Sequence, residues 1–202
     1  MVGELNSGKS NAVRDAGAPG SMSLRLATTA DIPAIAALQT RAIEQLQAGF
    51  LTPAQVEASH AGMGLDTRLI EDGTYFCVED AATSALAGCG GWSRRATLYG
   101  GNHSAGRDAR RLDPATEPAR IRAMYTDPAH VRRGVGRIVL QAAEAAAAAE
   151  GFYALTMAAT EAGKPFYLAC GYRVESSFFD EAGAVPVPLH RMTKRIGPTL
   201  LL

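Results

Sequence analysis

The sequence predicts an α/β (α+β) chain built on one mixed sheet of about seven strands, with about four helices flanking both faces. Three observations carry that prediction. Short apolar runs alternate with segments of helical periodicity, capping signals mark where helices start and stop, and 202 residues at 47% hydrophobic content suffice for one core. Residues 1–20 read as a disordered tail and 21–202 as a single domain.

Residues 23–46, SLRLATTADIPAIAALQTRAIEQL, read as a strand, a turn and a helix that lines up Ile32, Ile35, Leu38, Ala42 and Leu46 on one face. Asp31 and Pro33 mark the helix start. A second helix opens at TPAQVEA, where Thr52 and Gln55 have capping-box spacing and Pro53 takes the first helical position. TYFCVED and LAGCGGWSRRATL then form two strands joined at AATSA, and the glycines of the second suggest a bulge or a close backbone approach.

Residues 99–118 hold turn formers without periodicity, and disorder is the expectation for them. ARIRAMYTDP is a strand ended by Asp127 and Pro128, followed by the alanine-rich helix GVGRIVLQAAEAAAAAEG, stopped by Gly151. FYALTMAAT returns as a strand. A short helix with Pro165 in its first turn ends before Gly171, and YRVESSFFD and VPVPLHRMTKRI close the chain as a hairpin.

Composition removes several function classes. Twenty Lys and Arg balance twenty Asp and Glu, so the field that nucleic-acid partners require is missing. No apolar stretch approaches the roughly 18 residues of a membrane span. Cys77, Cys89 and Cys170 show no CxxC spacing, which suits reduced thiols in the cytoplasm and no metal. GELNSGKS at 3–10 spells a phosphate-loop pattern. Yet no strand precedes it and no helical repeat follows, so a chance match is the better reading.

Chemistry concentrates in MYTDPAHVRRGVGRIVL, residues 124–140. A strand ends, and Gly134 and Gly136 open a helix among Arg132, Arg133 and Arg137. A helix start without side chains at those positions offers free N–H groups, including that of Val135, to an anion such as a pyrophosphate.

This stretch resembles the signature of the GNAT superfamily of acyl-CoA N-acetyltransferases, [QR]-x-x-G-x-[GA], and FYLACGY at 166–172 is similar to the family's FYxxxG[FY] element. The resemblance, which runs from about residue 23 to 196, implies a mostly antiparallel sheet, acetyl-CoA as cosubstrate and a primary amine acceptor, with a small molecule expected. It implies that the coenzyme's pantetheine arm lies between the fourth and fifth strands against Met124, Tyr125 and Thr126, and that an N–H of that segment stabilises the oxyanion. Val131 stands where the family has Gln or Arg, and Thr160 where many members carry a pantetheine-binding Asn. Tyr167 matches the family's tyrosine acid, placed to protonate the departing thiolate. No base is identifiable among Glu44, His60, His103, Glu117 and His130. Arg107, Arg110 and Arg111 in the 99–118 excursion would draw in an acceptor bearing a carboxylate or phosphate. The terminal strands could pair two chains into a homodimer. A rival reading keeps the coenzyme cleft but not turnover, as an acyl-CoA-binding regulatory domain.

Overall fold

The structure is a computed structural model that describes residues 21–197. The GELNSGKS pattern lies outside the described residues. The elements run β1 (Met22–Leu26), α1 (Ile32–Leu46), α2 (Pro53–Gly62), α3 (Thr67–Glu71), β2 (Tyr75–Asp80), β3 (Leu86–Ser93), β4 (Ala119–Thr126), α4 (Val135–Ala149), β5 (Ala154–Thr160), α5 (Lys164–Ala169), β6 (Arg173–Asp180) and β7 (Val187–Arg195). The expected capping box is present at Thr52 and Gln55. Helix α3 was not expected. At five residues it is too short to show periodicity, and it begins because the Asp66 carboxylate accepts from the Arg68 N–H at 3.2 Å.

The strands form one sheet in the order β1-β2-β3-β4-β5-β7-β6, antiparallel throughout except for β4 beside β5. Side-chain alternation sends Cys77 and Cys89 to one face, against Ile35 and Leu38 of α1. Val78 and Ala87 go to the other, against Val135 and Val139 of α4. The cysteines are paired across β2 and β3 and fully buried, which pushes their thiols up to about 11 and about 12.

Between the pairs Cys89↔Tyr125 and Gly91↔Arg122, two residues of β4 oppose the single Gly90. This is the bulge that the glycines foretold, and it places Ala123 in the left-handed region at φ 50°. A side chain at 90 would run into Met124. The buried Tyr75 hydroxyl donates to the Ala123 carbonyl at 2.7 Å, holding the bulge from below.

A bulge bends its strand, and β4 parts from β5 here. They pair only at Ala119↔Leu155 and Arg120↔Thr156, and the rest of each strand diverges into an open cleft.

The 99–118 segment is tied down rather than disordered. Ala96 donates to Arg110 O at 2.9 Å and Leu112 to Arg94 O at 2.8 Å, with Leu112 buried in the core. The Arg122 guanidinium, 3% exposed, donates to the carbonyls of Thr97 and Gly100 and to Asp66 at 2.9 Å. These partners come from distant parts of the chain, so local periodicity could not reveal them.

Candidate active site

The cleft has two arms. The larger, about 640 Å³, runs from the end of β4 to the start of α4, with α1 as one wall. The smaller, about 130 Å³, runs toward α2, residues 98–100 and the end of β6. Met124, Tyr125, Thr160 and Tyr167 line both, so the arms meet there.

The turn into α4 has an unusual backbone. Arg132 (φ 63°) and Gly134 (φ 83°) are both left-handed, and no side chain caps the helix. A side chain at 134 would meet nothing within 4 Å, so glycine is needed there for conformation and not for room. At 136 the need is space, since a Cβ would stand 3.3 Å from Phe166. The first N–H groups of α4 have no side-chain acceptor, and the residues that carry them, Val135, Gly136 and Arg137, line the larger arm, an arrangement that favours an anion.

Most sequence-predicted residues come together in this arm. Met124, Tyr125, Thr126, Arg132, Gly134, Val135, Gly136, Arg137, Thr160 and Tyr167 all line it. Two qualify their expected parts. Val135 is 1% exposed and packed in the core, so only its main chain is on offer. Thr160 Oγ1 accepts from the Gly163 N–H at 3.0 Å and fixes the turn into α5. Arg133 is not among the lining residues, because its guanidinium is turned to Asp80, 2.9 Å away.

Tyr167 is 8% exposed. Burial, reinforced by Tyr125, lifts its phenol well above the usual tyrosine range, so the hydroxyl holds its proton at neutral pH.

The base candidates scatter. Glu44 is exposed, and Glu117 is bound to Arg110 at 2.8 Å outside the cleft. His103 meets the Ala61 carbonyl at 2.9 Å, and His130 lines the larger arm near Asp127. Nor do the excursion's arginines gather at an entrance. Arg107 pairs with Asp66, Arg110 with Glu117, and Arg111 lies in a backbone bridge to Arg95.

Sequence reasoning missed three cleft residues. Gln47, at the end of α1, lines the larger arm with its Oε1 buried and without a partner. Tyr99 and Asp180 line the smaller arm, the hydroxyl donating to the carboxylate at 3.4 Å. SSFFD read simply as a strand running into a turn, so the only signal available was an acid at a strand end.

The family model for the acetyltransferase (GNAT) domain matches residues 71–174, slightly more than half of the chain. The chain belongs to the GNAT acetyltransferase family. The matched span holds the bulge, the splayed strands and the α4 start, and ends just beyond α5. No curated protein sequence matches the chain significantly. Solved structures with the GNAT fold do. A GCN5-related N-acetyltransferase from Rhodopseudomonas palustris aligns at 20% identity with a TM-score of 0.65, over 86% of this chain and 95% of that one. The PaiA N-acetyltransferase from Thermoplasma acidophilum, solved with coenzyme A, aligns at 13% identity and a TM-score of 0.59, covering 87% and 99%. YncA from Salmonella typhimurium, solved with its cofactor acetyl-CoA, aligns at 17% identity and 0.57, covering 88% and 95%. At these identities the likeness establishes the shared fold. Among the described residues no helix is long and apolar enough to cross a membrane.

Proposed function

We propose that the protein transfers an acetyl group from acetyl-CoA to the primary amine of a small molecule, by direct attack on the thioester. The observation that carries this reading is the parting of β4 and β5 in front of an uncapped, left-handed turn into α4. A gap between parted strands suits an extended amide-bearing arm, and bare helix N–H groups suit a diphosphate.

The residues present fit that ligand. The orphaned Gln47 Oε1 is an acceptor in want of a donor such as a pantetheine amide, since buried polar atoms are rarely left unpaired. Main-chain amides of Val135, Gly136 and Arg137 would hold the diphosphate, with Arg132 and Arg137 offsetting its charge. When bound, acetyl-CoA supplies an acetyl group already activated as a thioester. Met124 to Thr126 offer main-chain N–H groups for the charge that develops on the carbonyl oxygen. Tyr167, kept protonated by burial, donates to the departing sulfur. Holding both reactants at the junction of the arms makes the attack effectively unimolecular. Unpaired thiols at 77 and 89 suit a reducing, cytoplasmic compartment.

The test is thiol release from acetyl-CoA across an amine panel, alongside calorimetry with coenzyme A alone. Coenzyme binding with amine-dependent thiol release is the expected result, and it is expected to survive deletion of residues 1–20. Coenzyme binding without release for any amine would favour the regulatory-domain reading instead.

A further inference from the structure

The smaller arm holds a carboxylate that the chain goes to some length to accommodate. Asp180 ends β6 and is 6% exposed, and it is the one acidic residue among the lining residues described there. Its Oδ1 accepts from the Tyr99 hydroxyl at 3.4 Å and from the Ala182 N–H at 3.2 Å. Its Oδ2 lies over Gly62, at the very position a side chain there would fill, and no described residue donates to it.

Gly62 sits in the last turn of α2 with ordinary helical geometry, so glycine is not needed for its backbone. In a helix it costs about 1 kcal/mol relative to alanine. The space it leaves is taken by the Asp180 carboxylate. The Arg122 guanidinium also borders this arm, but Asp66 and two carbonyls engage it. What remains facing the arm is one negative charge among apolar walls that include Leu98, Ile121, Met157 and Leu189.

Building on the proposed acetyl transfer, we propose that Asp180, braced by Tyr99 and admitted by Gly62, binds the acceptor's ammonium group and takes its first proton. The acceptor is then an alkyl or arylalkyl amine without a neighbouring carboxylate, because a second carboxylate in this apolar arm would be repelled. This replaces attraction by the excursion's arginines, of which Arg107 and Arg110 are already paired.

The steps balance. One N–H bond of the ammonium breaks and its proton passes to the Asp180 carboxylate. The freed lone pair forms the C–N bond as the C–S bond breaks, and the thiolate takes the Tyr167 proton. A second proton shed by the nitrogen restores the Tyr167 phenol, and Asp180 returns the first to solvent.

Matched pairs test this: 3-methylbutylamine against leucine, and phenethylamine against phenylalanine, each pair differing by one carboxylate. The expected kcat/KM favours each amine by at least about tenfold. The amines, not the amino acids, raise the melting temperature of the protein, a readout independent of turnover. Asp180→Asn keeps the shape and the acceptor for Tyr99, and is expected to lower kcat/KM for the amines by about 100-fold and to erase the preference within each pair. Gly62→Ala, which pushes the carboxylate aside, is expected to raise the KM for amines while coenzyme A affinity stays the same. A carboxylate that merely braced the hairpin would, on replacement, slow both members of a pair equally, and that outcome overturns the proposal. So does equal use of amine and amino acid by the unaltered protein. With coenzyme A binding intact these failures remove Asp180's role alone, whereas a flat coenzyme isotherm removes the acetyltransferase reading itself.

Discussion

In the larger arm the groups on offer are main-chain amides, set by left-handed residues at 132 and 134 and by a helix that begins without a cap. In the smaller arm it is one side chain, the Asp180 carboxylate, in a setting built from distant segments: Tyr99 donates to it, Gly62 leaves it room, and Arg122 holds residues 97–100 in place. A ligand gripped by backbone is recognised by chain conformation, which tolerates most side-chain change. One gripped by side chains changes whenever any of those segments changes. A common coenzyme and a variable acceptor would call for this division of labour.

Replacements in the two arms should therefore fail differently, and the junction should fail for both. At the junction, Tyr167→Phe removes the acid without disturbing either arm. Turnover is expected to fall by about 10 to 100-fold with coenzyme A affinity unchanged, as measured by steady-state kinetics and calorimetry. Unaltered turnover across the pH range would take Tyr167 out of the chemistry.

Behind the smaller arm, Asp66→Asn strands the buried Arg122 and loosens the 97–100 carbonyls. Breaking such a pair is expected to cost about 3 kcal/mol in urea unfolding and to raise the acceptor KM, with coenzyme A affinity held. Equal damage to both ligands would mean the arms are not separable.

How far the sequence could be read follows the same division. Gly134, Gly136 and the end of β4 at Asp127 and Pro128 are neighbouring signals, each resting on local turn chemistry, and they locate the larger arm, just as the capping box at Thr52 and Gln55 locates the start of α2. Asp180, Tyr99 and Gln47 carry no such signal. Their place in the cleft depends on β6 lying at the far edge of the sheet, on the Arg122 clasp, and on α1 crossing β4, where Arg41 meets Asp127 at 2.6 Å. For the same reason 99–118 reads as unstructured although Leu112 and Arg122 anchor it.

In the larger arm, Gly134→Ala forces a Cβ into a left-handed position at a cost of about 1–2 kcal/mol, so the Kd for coenzyme A should rise by about tenfold while the acceptor KM stays put. Arg133→Ala sharpens the contrast further. Its guanidinium is spent on Asp80, so coenzyme A affinity should change by less than about twofold, against a clear loss for Arg137→Ala.

The smallest effect is expected at the rim of the excursion. Hydrogen bonding to Arg110, aided by the Asp113 N–H, holds the Glu117 carboxyl down from 4.5 to about 2. A carboxyl lowered on folding stabilises above its unfolded value, and that contribution fades as pH falls from 4.5 to about 2. Glu117→Gln should thus lower the melting temperature slightly at pH 7, and the gap should close over that acid range. A gap independent of pH would mean that the ion pair plays no part in holding the excursion.

The grip of bare amides at the start of α4 is tested most directly by titrating coenzyme A calorimetrically into the folded protein and into Gly136→Leu, whose side chain would press on Phe166. The expected result is a saturable one-to-one isotherm for the natural sequence, weakened by at least about tenfold in the variant. A flat isotherm from well-folded protein, or an affinity that ignores the change at 136, would contradict it.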